Sequence, residues 1–280
     1  RLAPGRPNGK PVVQVVAQDG AVLANAKFGW DDLTARLIRR EAAALSALNP
    51  LTRGMPLKLP AVLHSGAWRG METLVLSPLA HGRTPRGSGD VPVAASVALA
   101  GLESRQVQPL GDSGVWSERT RAMQRFGVLL GERAEYAFAR AQAAIEVRWG
   151  ADAFAMGWSH GDWIPANLSI RADGAFSVWD WERGQRGVPL GVDMMQFILS
   201  VEMRRHGSTP ALATRVERYA RPALARHGLD PAAWSVLVLL SLIRSALWYG
   251  EAREAGRAPQ EGQRFIEAIE LFTARAGAQP

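Results

Sequence analysis

Polar and apolar positions change period along the chain. The runs over residues 11–17 and 21–28 are short and mostly apolar, and Asp19-Gly20 separates them. Two such runs around a turn pair predict a β-hairpin. Residues 59–68 and 72–76, on either side of Arg69-Gly70, predict two further strands that complete a small sheet. Between the two pairs the period becomes helical. Asp31-Asp32 offer N-cap side chains, Leu33, Leu37, Leu45 and Leu48 fall on one helical stripe, and Asn49-Pro50 ends the pattern.

Glu41 interrupts that stripe, four residues from both Leu37 and Leu45. Its neighbours one turn away, Leu37, Ile38, Ala44 and Leu45, include no cation, so a buried Glu41 needs a partner from another element. Lys27, on the preceding strand, is the evident supplier. A half-buried Glu41 that faces water is the alternative.

Beyond Ser77-Pro78-Leu79 the pattern breaks, and residues 81–90 are dense in Gly, Pro, Ser and Arg. A boundary there divides the chain into a small lobe over residues 1–79 and a larger one over 80–280, hinged near Ser77. The second part reads as helices over 93–104, 117–126, 132–149, 193–206, 210–227, 231–250 and 260–276. Two short strands, 168–171 and 175–179, interrupt them around Asp173-Gly174. Near the start, the breaker-rich run from Pro4 to Lys10 is either a loop over a phosphate or a frayed end.

Composition narrows the classes of function. The 280 residues are 47% hydrophobic, enough to bury ordinary cores, which excludes a disordered chain. A net charge of +7 favours anionic or phosphorylated partners. No stretch interleaves basic and aromatic residues as a binding stripe does, so no nucleic-acid partner is expected. The absence of cysteine excludes disulfides, thiolate metal sites and cysteine nucleophiles. Arg1-Leu2-Ala3-Pro4-Gly5 lacks the apolar core of a secretory signal, and the apolar run from Trp234 to Ile243 is too short to span a bilayer. Cytoplasmic placement without a membrane partner is the expectation.

The chemistry concentrates between Ser159 and Glu182. Asp162 and Asn167 lie five apart across a proline-containing loop, and Asp180 follows 13 residues later, the length of one strand out and one back. Two acids and an amide therefore meet at one end of a hairpin, an oxygen-ligand set suited to a hard cation such as magnesium. Asx residues that merely cap backbone groups are the alternative.

His160-Gly161-Asp162 to Asn167, followed by Asp180-Trp181-Glu182, resembles the aminoglycoside phosphotransferase and choline kinase family, relatives of the protein kinases. The resemblance implies an α+β, bilobal protein-kinase-like fold with a small antiparallel-sheet N-lobe that binds nucleotide and a larger, mostly helical C-lobe. It implies ATP and magnesium (Mg2+) as cofactors, Asp162 as the catalytic residue at the substrate hydroxyl, and Asn167 and Asp180 as metal ligands. Lys27 would bind phosphate oxygens with Glu41 as its partner, and backbone groups near Ser77 and Leu79 would meet the adenine. His160 would brace the loop, and Asp193 would support it from the next helix.

The function implied is transfer of the ATP γ-phosphate to a hydroxyl of a small molecule such as an aminoglycoside or other antibiotic, an amino sugar or an amino alcohol. A non-catalytic nucleotide-binding module of the same fold is the alternative. A protein kinase is disfavoured, because Gly161 stands where protein kinases carry arginine and the interval from Asp180 to Asp193 is short. Glu202, Glu217, Glu251, Glu254, Glu261, Glu267 and Glu270 either line a pocket for a polycationic acceptor or form a salt-bridged surface with the arginines among them.

Overall fold

In the computed structural model, which describes residues 9–103, 106–257 and 262–278, the first two apolar runs form β1 (Val12–Val16) and β2 (Val22–Gly29). They pair antiparallel, and Asp19 closes their turn by accepting the Ala21 amide at 3.0 Å. α1 (Asp32–Leu48) starts at a capping box: the Asp31 carboxylate accepts the Thr34 amide at 2.8 Å, and the Asp31 amide donates back to the Thr34 hydroxyl at 3.2 Å. β3 (Leu57–Lys58), β4 (Val62–Trp68) and β5 (Met71–Leu76) follow. Next come α2 (Val93–Ala100), β6 (Gln106–Pro109), α3 (Gly114–Leu130), α4 (Glu132–Trp149) and β7 (Ala153–Ser159). The chain continues through β8 (Leu168–Ile170), β9 (Phe176–Val178), β10 (Gln185–Pro189), α5 (Val192–His206), α6 (Leu212–His227), α7 (Trp234–Glu254) and α8 (Gln263–Ala278).

The chain divides into two compact units. One comprises the chain up to Pro85 together with His160–Gln185, and the other comprises Arg86–Ser159 with Arg186–Pro280. In the first, β1-β2-β5-β4 form an antiparallel sheet against which α1 packs Leu33, Leu37, Leu45 and Leu48, all fully buried with Leu74. A second sheet in the same unit has the order β3-β9-β8. Its hydrogen bonds explain why this unit differs from a division at residue 79. Ile170 bridges Arg83, the Gly82 amide donates to the Ser169 hydroxyl at 3.2 Å, and the Ser177 hydroxyl donates to the Ala80 carbonyl at 2.7 Å. The β8–β9 hairpin is thus tied to the segment that follows the first sheet and, through β3, to one that lies between its strands in the sequence.

The second unit is mostly helical, with α7 packed against α3, α5 and α8 and a small sheet of order β10-β7-β6. The helical segment Pro231–Glu254 is long and apolar enough to cross a membrane by length and composition, with a mean hydropathy of 1.5. It is longer than its apolar run foretells, and 78% of its apolar window is buried inside the protein, as for a core helix.

Arg244 on α7 brings a charge into that core. Its guanidinium donates to the Asp193 carboxylate at 3.1 Å, the Ser159 hydroxyl at 2.8 Å and the Gln196 amide oxygen at 2.5 Å. The Ser159 hydroxyl also donates to Asp193 at 2.7 Å, so Asp193 fixes the residue immediately before His160. Removing one partner of a buried pair strands the other charge. Asp193→Ala is expected to destabilise the protein by about 3–5 kcal/mol, read as a lower denaturation midpoint.

Several elements depart from the sequence pattern. The strand expected over 59–68 starts only at Val62, because Pro60 lacks the amide a ladder needs, while Leu57–Lys58 pair separately with β9. β6, β7 and β10 were not foreseen; β7 contains Ala153, Ala155 and Gly157, which hide a strand from propensity. α2 ends at Ala100 before Gly101, and α3 extends from Gly114 to Leu130. The Pro4 to Asn8 part of the breaker-rich run, Ser104, Gln260 and Glu261 lie outside the described residues.

Candidate functional site

β2 and α1 meet at Lys27. The lysine ammonium donates to both oxygens of Glu41 at 2.7 Å and to Asp180 at 2.9 Å. Glu41 is fully buried, and its second task is to accept the Trp181 amide at 3.3 Å. A buried helix carboxylate therefore holds both the strand lysine and the backbone beyond Asp180. Burial alone would lower the affinity of Lys27 for its proton, but Asp180 and Glu41 more than reverse that and hold it above the ordinary lysine range. Burial would likewise raise Asp180, yet Lys27 and Lys10 keep its carboxyl well below the ordinary range. Asp180 has φ 70°, a left-handed conformation that Asp tolerates better than most residues.

The loop after Ser159 is built around His160. An amide can only donate and a carbonyl can only accept, so His160 Nδ1 accepts from the Asp162 amide at 3.1 Å while Nε2 donates to the Trp179 carbonyl at 2.9 Å. The ring thus braces the loop against the end of β9, packed edge-on to Trp163 and Trp181 at 5.6 and 4.6 Å. Gly161 has φ +84°, and a Cβ there would stand 2.1 Å from the Arg183 carbonyl oxygen. Gly161→Ala is accordingly expected to cost on the order of 3 kcal/mol in a denaturant titration and to displace Asp162.

Asn167 donates its side-chain amide to the Asp162 carbonyl at 2.9 Å and to the Asp162 carboxylate at 2.8 Å. Its amide oxygen is the atom left to meet a cation. Burial, then the charge of Asp180, push the Asp162 carboxyl above its usual range. The amide of Trp179 donates to the Asn167 carbonyl at 3.1 Å, which closes the hairpin and keeps the two acids at the same end.

The structure thus brings Lys27, Glu41 and Asp180 into direct contact and sets the Asp162–Asn167 pair within electrostatic reach of them. Ser77 and Leu79 stand apart, after β5. The Ser77 amide and hydroxyl are used on Ala61 at 2.9 and 2.8 Å, so its carbonyl is the group that remains for a ligand. Three further residues belong to this region. Glu182 places a carboxylate oxygen within 4.8 Å of those of Glu41 and Asp180, Lys10 forms an ion pair with Glu182, and Arg183 lies close enough to affect both Lys10 and Asp162. Burial lowers Lys10 to about 8, against the pull of Asp180 and Glu41. Glu182 was visible in the Asp-x-Glu pattern, whereas nothing in the spacing singled out Lys10.

Oxygen donors of this kind, with surplus carboxylates and a neutral amide oxygen, fit a hard divalent ion. Among the described residues, the glutamates of the second unit do not form a comparable set. Glu217 binds Arg275 at 2.5 Å, Glu254 binds Arg125 at 2.5 Å, Glu270 binds Arg133 at 2.6 Å with Glu267 beside it, and Glu202 is buried on the Ser88 hydroxyl. That is the salt-bridged arrangement, and Glu261 lies outside the described residues.

No protein-family model and no curated protein matches the chain. Solved structures do. A thermostable mutant of aminoglycoside phosphotransferase APH(4)-Ia in its apo form is 14% identical with a TM-score of 0.56, over 97% of each chain. The GDP complex of an aminoglycoside 2'-phosphotransferase IIIa mutant is 12% identical with a TM-score of 0.58, over 96% of this chain and 93% of that one. A streptomycin–ATP–APH(2'')-IIa ternary complex is 11% identical with a TM-score of 0.55, over 94% and 93%. The chain therefore has the kinase-like fold of aminoglycoside phosphotransferases, with a small antiparallel-sheet portion and a mostly helical remainder.

Proposed function

We propose that this protein is an ATP-dependent phosphotransferase that moves the γ-phosphate to a hydroxyl of a small molecule. The observation that carries the reading is the joint placement of Lys27, held by Glu41 and Asp180, beside the Asp162–Asn167 pair. Capping alone does not account for this set: a buried carboxylate, a lysine shared between two acids and an acid of raised proton affinity all converge. In this reading Lys27 binds phosphate oxygens, and Glu41 keeps its ammonium in place. Asp162 orients the acceptor hydroxyl and takes up its proton as the bond to phosphorus forms, a role its raised proton affinity suits. Asn167 holds that carboxylate in position through its amide hydrogens.

Magnesium bound with the nucleotide supplies neutralisation of the phosphate charge. Asn167 and Asp180 are the residues that would hold it, with Glu182 at hand. The backbone after β5, at Ser77 and Leu79, receives the base. Phosphoryl transfer leaves the protein little covalent work, so positioning and charge dominate.

Streptomycin accompanies ATP in one of the similar structures, and an antibiotic is a natural first acceptor to try. The pairing of Glu217, Glu254, Glu267 and Glu270 with arginines leaves less carboxylate charge for a polycation, which keeps amino sugars and amino alcohols on the same footing. The test is a nucleotide-consumption screen with ATP and GTP against hydroxylated antibiotics, amino sugars and choline-like alcohols, with Asp162→Ala as the blank. Consumption above the blank for one acceptor class supports the reading. Nucleotide binding with equal consumption in blank and wild type would replace it with a binding module.

A further inference from the structure

Lys10 reaches the site through strand register. Val12 pairs with Lys27 across β1 and β2, so the two side chains share a face of the sheet. Two residues earlier in an extended chain, Lys10 points to that same face. The segment is anchored on both sides: the Trp30 indole donates to the Gly9 carbonyl at 3.3 Å, and the Phe28 amide donates to the Pro11 carbonyl at 3.2 Å.

At the end of this tether the Lys10 side chain is only 6% exposed and pairs with Glu182. Glu182 is one of three carboxylates, with Glu41 and Asp180, whose oxygens lie within 4.8 Å of one another. Lys27 neutralises Glu41 and Asp180, and Lys10 supplies the cation at Glu182. A divalent ion at Glu182 and the Lys10 ammonium compete for the same carboxylate, whereas Lys27 is also held by both oxygens of Glu41 and keeps its place beside Asp180. An ammonium driven off Glu182 while still tethered at Gly9 and Pro11 stays among the same groups, where nucleotide phosphates are the new anions.

Resting on the phosphotransferase reading, we propose that Lys10 is a second phosphate-site lysine, one that occupies the Glu182 carboxylate while nucleotide is absent and transfers to nucleotide phosphate when the metal-bound nucleotide enters. It gives the described residues just before β1, Gly9 to Pro11, a function as a cation carrier. Lys10 acts beside Lys27 but, unlike Lys27, exchanges partners.

The experiment measures two constants on the full chain. Mn2+ binding without nucleotide is followed by electron paramagnetic resonance, and ADP binding in the presence of Mg2+ by calorimetry, for wild type, Lys10→Met and Lys10→Arg. In Lys10→Met, Mn2+ affinity is expected to rise about tenfold, because a competing charge is gone, while Mg–ADP affinity falls about tenfold. Lys10→Arg keeps the charge and is expected to stay within about threefold of wild type in both. If Lys10→Met does not fold, as judged by circular dichroism, Lys10→Gln takes its place. Unchanged Mn2+ affinity, or tighter Mn2+ with unchanged ADP affinity, overturns the proposal. Failure of the wild type itself to bind Mg–ADP overturns the phosphotransferase reading instead, so the two failures are distinguishable.

Discussion

Replacing Asp162 by alanine is expected to lower turnover roughly 10²- to 10⁴-fold while nucleotide affinity stays within about threefold of wild type. The asymmetry follows from its contacts. Asp162 pairs with Asn167 and is repelled by Asp180, but makes no contact with Lys27, the residue proposed to bind phosphate. Its removal takes away the proposed proton acceptor and relieves a repulsion, leaving the Lys27–Glu41 pair intact. A thousandfold loss corresponds to about 4 kcal/mol in the barrier, well beyond a change in one surface hydrogen bond. Steady-state kinetics with the best acceptor from the screen, set beside calorimetric ADP affinity, measure both quantities. Equal loss in turnover and nucleotide affinity would mean that Asp162 supports the nucleotide site and is not the base.

The contrast between what could and could not be read from the chain lies in how local each signal is. The first hairpin, α1 and its buried Glu41 were legible because turn chemistry, a capping side chain and a carboxylate on an apolar stripe are all short-range patterns. The loop from His160 to Asn167 was legible as a motif, and its geometry supplies physical reasons for the pattern. His160 ties two backbone groups, and Gly161 has no room for a side chain. β3 escaped because two residues, Leu57 and Lys58, pair with a strand more than a hundred positions away, which no local period encodes. Lys10 was read only as the end of a run that is a loop over a phosphate or a frayed end, because the role proposed for it depends on strand register and on Glu182, and neither is visible in a lysine that follows a glycine. The acidic helices show the reverse case. Composition left open a pocket or a salt-bridged surface, and Arg125, Arg133 and Arg275 decide for the surface.

The same geometry separates the two halves of the proposed nucleotide site. Lys27 and Glu41 form a unit that does not need Asp180 to hold together, since Glu41 alone offers the ammonium two oxygens at 2.7 Å. Asp180 is shared between this pair and the proposed cation site, and from the end of the β8–β9 hairpin, where its backbone is left-handed, its carboxylate accepts from Lys27. A change at Asp180 therefore acts on metal and phosphate unequally.

Asp180→Ala is expected to abolish the magnesium-dependent part of the stabilisation by nucleotide and to leave the magnesium-independent part. At nucleotide about 100-fold above its dissociation constant, a ligand that binds only the folded state stabilises it by about 2.7 kcal/mol, a rise in melting temperature on the order of 5–10 °C for a chain of this size. In the wild type most of that rise should require Mg2+, because the metal lets phosphate charge lie beside Asp180, Glu182 and Asp162. In the variant, Mg–ADP and ADP with a chelator should give the same, smaller shift, carried by Lys27 and Glu41. Ligand-free melting of the variant is the control, since alanine tolerates the φ of 70° less well than aspartate. A magnesium-dependent shift that survives intact in Asp180→Ala would move the metal to other carboxylates, with Glu182 the first to replace.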